Sequence, residues 1–254
     1  MSSEAHSHTH VHTPHTHDYV AANQAHFNAI AESFDEFPGA KELAKRVVNA
    51  MLTKFPGWFN EDTTTAMDFA CGTGKYISMN IGIRTDSVFL GLISRELIPH
   101  VNSIVGVDIT QGLVDQYNLR VSNQGLEPSE MKAIRTELKQ NDEQLGDTKF
   151  DVIVCSASYH HLEDVEGMTR TLVSYLKPGG ALLVADVMKR TDGREIFHKD
   201  HHHVVAHTSG FGEDDMKGIF TQGGLGDYEF SHIFSAKLGG HEQDVFLAKG
   251  VKPA

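Results

Sequence analysis

The stretch that most constrains this chain is Thr65-Ala66-Met67-Asp68-Phe69-Ala70-Cys71-Gly72-Thr73-Gly74. It reads as a short buried strand running into a turn of small residues. Glycines at 72 and 74 tolerate positive φ and let a ligand approach the backbone closely. Asp68 stands at the carboxyl end of the strand, where open parallel sheets bind ligands. A second strand, Ser103-Ile104-Val105-Gly106-Val107-Asp108, also ends on aspartate. Two strand-terminal carboxylates with a glycine turn after the first suit a nucleoside, because the second acid can accept hydrogen bonds from ribose hydroxyls. Two competing motifs fail on spacing. G-x-G-x-x-G needs glycine where Ala70 and Lys75 stand. A phosphate loop ending at Gly74-Lys75 needs glycine at Phe69 and Ser or Thr at Tyr76.

Further along, Phe150-Asp151-Val152-Ile153-Val154-Cys155 is a nearly continuous apolar run, as a central parallel strand should be. It continues as Ser156-Ala157-Ser158-Tyr159-His160-His161-Leu162. Leu176-Lys177-Pro178-Gly179-Gly180 then leads into the apolar run Ala181 to Asp186. The form D-x-[AG]-x-G-x-G resembles motif I of the class I S-adenosylmethionine-dependent methyltransferases, with Ala70 in place of the usual first glycine. Asp108, the 155–161 stretch (similar to motif IV and the histidine pair after it) and the 176–184 stretch follow in that family's order, so the resemblance covers roughly residues 20–250.

The resemblance implies an α/β fold, a doubly wound, seven-stranded, mostly parallel sheet whose last strand is antiparallel. It implies S-adenosylmethionine as cofactor and methyl transfer to an O, N or C atom of a small-molecule acceptor. Cofactor contacts carried over are Asp68, Ala70, Cys71, Gly72, Thr73 and Gly74, then Asp108 and Ile109 at the ribose. Glu137 and Leu138 follow near the adenine, with Asn141 and Asp142 as rivals, and then Cys155 and Ser156. His160 or His161 is the candidate general base, since an unperturbed histidine titrates near operating pH. The competing reading has one histidine capping the next helix and the other packing on the cofactor.

Other function classes fare worse. A formal charge of −12 argues against a nucleic-acid surface. No apolar run approaches the roughly 20 residues that span a bilayer. The two cysteines, Cys71 and Cys155, both fall at expected strand ends, which favours reduced thiols in the cytosol or nucleus. A catalytically silent cofactor-binding partner protein and a metal-binding protein, the latter on the strength of 17 histidines, are the remaining alternatives.

Residues 1–18 form a histidine-rich tail with no apolar periodicity, expected to be disordered. Residues 19–57 read as two helices on the substrate side. Phe27, Ile30, Ala31 and Phe34 mark the first, and Leu43, Val47, Met51 and Phe55 the second, with Pro38-Gly39 between them. Residues 58–254 form the cofactor-binding domain, with a lid-like segment at 190–212. In that segment His198 with His202, or His203 with His207, stand four apart, but no cysteine joins them and no metal site is assigned. Tyr228 to Ser235 and Asp244 to Lys249 read as closing strands.

Residues 75–91 break the pattern. A helix should open directly after the glycine turn, yet its apolar residues, Leu92, Ile93, Leu97 and Ile98, come only later. Asp68 and Asp108 stand 40 positions apart, and without these 17 residues the separation is 23, near the roughly 20 expected of such a unit. Gly74-Lys75-Tyr76 can be encoded GGT-AAG-TAT, which contains the splice donor GTAAGT, and Leu90-Gly91 can contain an acceptor TAG. The segment therefore reads as a retained in-frame intron, with a true insertion loop as the competing reading.

Overall fold

The computed structural model describes residues 17–30, 38–72, 74–75, 88–89, 91–238 and 241–254. The tail up to residue 16, the apolar positions Ala31 and Phe34, Thr73, and positions 76–87 and 90 of the proposed insert lie outside the described residues.

Seven strands form one sheet: β1 Thr65–Phe69, β2 Ser103–Asp108, β3 Met131–Arg135, β4 Phe150–Ser156, β5 Leu176–Val187, β6 Gly226–Leu238 and β7 His241–Val251. Their order is β3-β2-β1-β4-β5-β7-β6. Strands β1 to β5 run parallel, and β7 pairs antiparallel with both β5 and β6. This is the mostly parallel sheet expected, with its antiparallel end. The order reverses at β1, so the β1–β4 crevice is the topological switch point where such sheets bind ligands.

Among the described residues, six α-helices accompany the sheet: α1 Tyr19–Ile30, α2 Pro38–Lys54, α3 Leu92–Leu97, α4 Gln111–Asn123, α5 Val165–Tyr175 and α6 Glu213–Gln222. The apolar run of β4 is explained by burial on both faces. Val152 and Val154 pack with Ala66, Val47 and Met51 on the α2 side, while Ile153 and Cys155 pack with Leu172 and Phe220 on the α5–α6 side. Burial of one such aliphatic side chain stabilises by about 1.5–3 kcal/mol.

Three element boundaries have a local reason. Pro38 opens α2 rather than separating two helices, because its missing N–H falls where a helix has no acceptor for it. Helix α5 stops at Tyr175, and β5 already begins at Leu176, since Lys177 precedes proline and is steered out of helical conformation. Strand β3 ends at Arg135, where the Thr136 hydroxyl donates to Asp142 at 2.6 Å and the chain turns.

Candidate functional site

Strand β1 delivers Asp68 and Ala70 to the switch point. Ala70 has φ +59°, the left-handed conformation that glycine adopts freely and that costs an L residue about 1–2 kcal/mol. That explains why the motif usually carries glycine here. Ala157, just past β4, is also left-handed at φ +52°. Beside these two turns lies a cavity of about 440 Å³, within the range of small-molecule and cofactor sites.

The cavity sits at the carboxyl ends of β1 to β4. Phe69 and Ala70 form one wall, and Val107, Asp108 and Ile109 the next. Thr136 to Lys139 form an edge, while Ser158 and the 161–164 stretch form the far side. Helix α1 roofs it with Tyr19, Val20, Asn23 and Phe27. The roof is tied down by Gln24 Nε2 donating to the Ile109 carbonyl at 3.1 Å, and by Asn28 Oδ1 accepting from the Gly112 N–H at 3.3 Å.

Of the residues carried over from sequence, Ala70, Asp108, Ile109, Glu137, Leu138 and His161 line this cavity together. Asp68, Cys71, Gly72, Cys155, Ser156 and His160 stand behind its walls, Gly74 lies in a two-residue strand with Lys75, and Thr73 is outside the described residues. Asp68 Oδ2 accepts from the Ser94 hydroxyl at 2.6 Å, which ties β1 to the start of α3. Asp108 Oδ1 accepts from the Thr110 N–H at 2.9 Å and Oδ2 from the Gly72 N–H at 3.1 Å. The Ile109 N–H and the Thr110 side chain also favour its ionised form, and Asp108 is among the residues lining the cavity.

Burial raises the pKa of both acids, Asp68 to about 7 and Asp108 to about 6. For Asp68 the Ser94 hydrogen bonds offset part of that rise, and the charge of Asp108 adds to it. The folded chain therefore holds protons that the unfolded chain, with carboxylates near 4, has released. Its stability is fully present below pH 4 on this account and is lost as pH rises through 6 and 7. The ligand-free chain should melt at a higher temperature at pH 5.5 than at pH 7.5, and Asp68→Asn should narrow the gap. Equal melting temperatures in the parent chain would contradict this.

The two histidines, adjacent in sequence, have different surroundings. His160 is buried, its Nδ1 lies 2.7 Å from Asp186 Oδ1, and its ring stacks on Phe197 at 4.6 Å. His161 faces the cavity, with its ring 5.6 Å from Phe27. Its Nδ1 lies 2.6 Å from the Val204 carbonyl, so Nδ1 carries the proton and the basic lone pair is on Nε2. The 190–212 segment thus reaches the cavity through its hold on His161. It is anchored by Ala206 and His207, whose N–H groups donate to the His160 carbonyl at 3.0 Å. The other histidines of that segment disperse: His202 Nε2 lies 3.2 Å from the Phe197 carbonyl and His207 Nε2 2.9 Å from the Leu162 carbonyl.

Sequence reasoning missed Asp186 as a partner and Asn23 as a cavity residue. The signal for Asp186 was its place at the end of the strand beside β4, where Ser156 pairs with Ala185. Asn23 had no comparable signal. Its amide Nδ2 donates to the Tyr19 carbonyl at 2.8 Å, while its buried Oδ1 has no hydrogen-bond partner among the described residues. The lining fits an adenosyl group: a buried carboxylate at a strand end, an apolar wall and a helical roof.

A family model described as a methyltransferase domain matches residues 67–182. An uncharacterized methyltransferase of Schizosaccharomyces pombe is 28% identical over 252 residues, covering 84% of this chain and 81% of its own. The structure of magnesium protoporphyrin IX methyltransferase from Synechocystis with bound S-adenosylhomocysteine superposes with a TM-score of 0.63 at 16% identity, covering 92% of this chain and all of that one. The N-methyltransferase NodS of Bradyrhizobium japonicum, also with S-adenosylhomocysteine, gives 0.61 at 16% identity with the same coverage. With its motifs, sheet order and switch-point cavity, the chain carries a methyltransferase domain over residues 67–182 and has the fold of the class I S-adenosylmethionine-dependent methyltransferases.

Proposed function

We propose that the protein methylates a hydroxyl or amine nitrogen of a small-molecule acceptor, with His161 receiving the acceptor's proton. The observation that carries this reading is the His161 ring at the cavity wall, its Nδ1 proton committed to Val204. When bound, S-adenosylmethionine supplies a methyl group on a sulfonium, which departs as a neutral thioether. The acceptor forms the new bond to carbon and passes its proton to His161 Nε2.

Asp108, at the cavity wall, holds the ribose hydroxyls, and Glu137 with Leu138 borders the base. Helix α1 closes the cavity from above and excludes water. Positioning is the main contribution, since holding both reactants at attack distance supplies up to about 7–11 kcal/mol. Glu163 and Asp164 lie in the wall beside His161, so a neutral or cationic acceptor suits the site better than an anionic one.

The reading is tested first by calorimetric titration of S-adenosylhomocysteine. Micromolar binding is expected at pH 7.5. Hydroxyl donors favour the ionised form of Asp108, whose pKa of about 6 then makes affinity fall about tenfold per pH unit below 6. Asp108→Asn should bind more weakly and without that pH dependence. No binding at any pH would overturn the assignment of the cavity.

A further inference from the structure

The glycine turn after β1 is closed by a residue from beyond the 75–91 stretch. The Cys71 N–H donates to the Val107 carbonyl at 3.2 Å, and the Cys71 carbonyl accepts from the Gly91 N–H at 2.8 Å. Gly91 is the N-cap of α3, with φ +59° and ψ +21°. A Cβ there would lie 2.6 Å from the Tyr117 ring, so both conformation and space require glycine. The Gly91 carbonyl then accepts from the Arg95 N–H at 2.9 Å, the first bond of the helix.

A carbonyl bonded to an N–H three residues on is the signature of a four-residue turn. In the chain as written, Gly91 is 20 positions after Cys71, whereas Gly74 is three positions after it. Removing 75–91 places Leu92 directly after Gly74. The excursion also leaves and returns at one place, since Gly74 pairs with Phe89 and Lys75 with Val88 in antiparallel register. The body on either side is already joined without it, through Asp68 and Ser94 at 2.6 Å.

We infer that residues 75–91 interrupt the turn Cys71-Gly72-Thr73-Gly74, and that the chain without them closes it with Gly74 in the place now held by Gly91. Helix α3 then follows the cofactor turn directly, as in an unbroken motif I. The binding consequence rests on the cofactor reading above, but the register of the turn does not.

The test compares the full chain with a Δ75–91 chain, each also carrying Gly74→Ala or Gly91→Ala where that residue exists. In the full chain, Gly91→Ala should lower the melting temperature by about 5 °C or more, and Gly74→Ala should leave it nearly unchanged. In Δ75–91 the sensitivity should move to Gly74→Ala. Δ75–91 itself should melt no lower than the full chain and bind S-adenosylhomocysteine at least about tenfold more tightly (about 1.4 kcal/mol). A Δ75–91 chain that does not fold, binds more weakly than the full chain, or tolerates Gly74→Ala overturns the inference. Silence of both chains toward S-adenosylhomocysteine overturns the cofactor reading instead, and the glycine exchange read by melting still decides the register.

Discussion

Asp186→Ala should lower the stability of the fold by about 3–5 kcal/mol, the range for breaking a buried hydrogen-bonded pair. The side chains of His160 and Asp186 are 3% and 0% exposed. The Asp186 carboxylate accepts from His160 Nδ1 at 2.7 Å, the Val187 N–H at 2.7 Å and the His160 N–H at 3.3 Å. Alanine strands all three donors where water cannot replace the acceptor, and each buried unsatisfied group costs about 1–3 kcal/mol. For a chain of this size the loss corresponds to a fall of about 10 °C in melting temperature. Asp186→Asn keeps one acceptor oxygen for the imidazole and should lose about half as much. His160→Phe preserves the stacking on Phe197 but leaves the carboxylate buried without its main partner, and should be as damaging as the alanine change. Melting curves of the three variants decide the matter. A fall of less than about 1 kcal/mol in Asp186→Ala would mean the pair is solvated in the working protein.

The prediction also shows where sequence reading stops. The sheet was legible because its signals are local: apolar runs too long for one-sided burial, aspartates at strand ends, and glycine where a turn needs it. Asp68 and Asp108 look equivalent in sequence, yet of the two Asp108 lines the cavity, while Asp68 accepts from the Ser94 hydroxyl at the start of α3. That distinction depends on a residue 26 positions away. His160 and His161 could not be ranked either. Their difference is made by Asp186 on β5 and by Val204 in the 190–212 segment, contacts formed only when the sheet and that segment close around them. The place of Gly91 was hidden for a related reason: no periodicity marks which glycine ends a turn once another stretch intervenes.

His161→Ala should reduce methyl transfer by about 10²- to 10⁴-fold, the range for a positioned general base, while leaving S-adenosylhomocysteine affinity largely unchanged. The asymmetry follows from the layout. The cofactor contacts proposed for Asp108, Glu137 and Leu138 lie on the opposite side of the cavity from His161, so alanine there removes the proton acceptor and not the cofactor site. The measurement is the release of S-adenosylhomocysteine from S-adenosylmethionine with the first acceptor found in a panel of small amines and alcohols. His161→Gln, which keeps a polar side chain but no basic nitrogen, should behave like alanine. If both variants fold, bind S-adenosylhomocysteine and turn over at the parent rate, His161 is a wall of the cavity and no more. The acceptor would then be a nucleophile that arrives already deprotonated, or one whose proton passes to water after transfer.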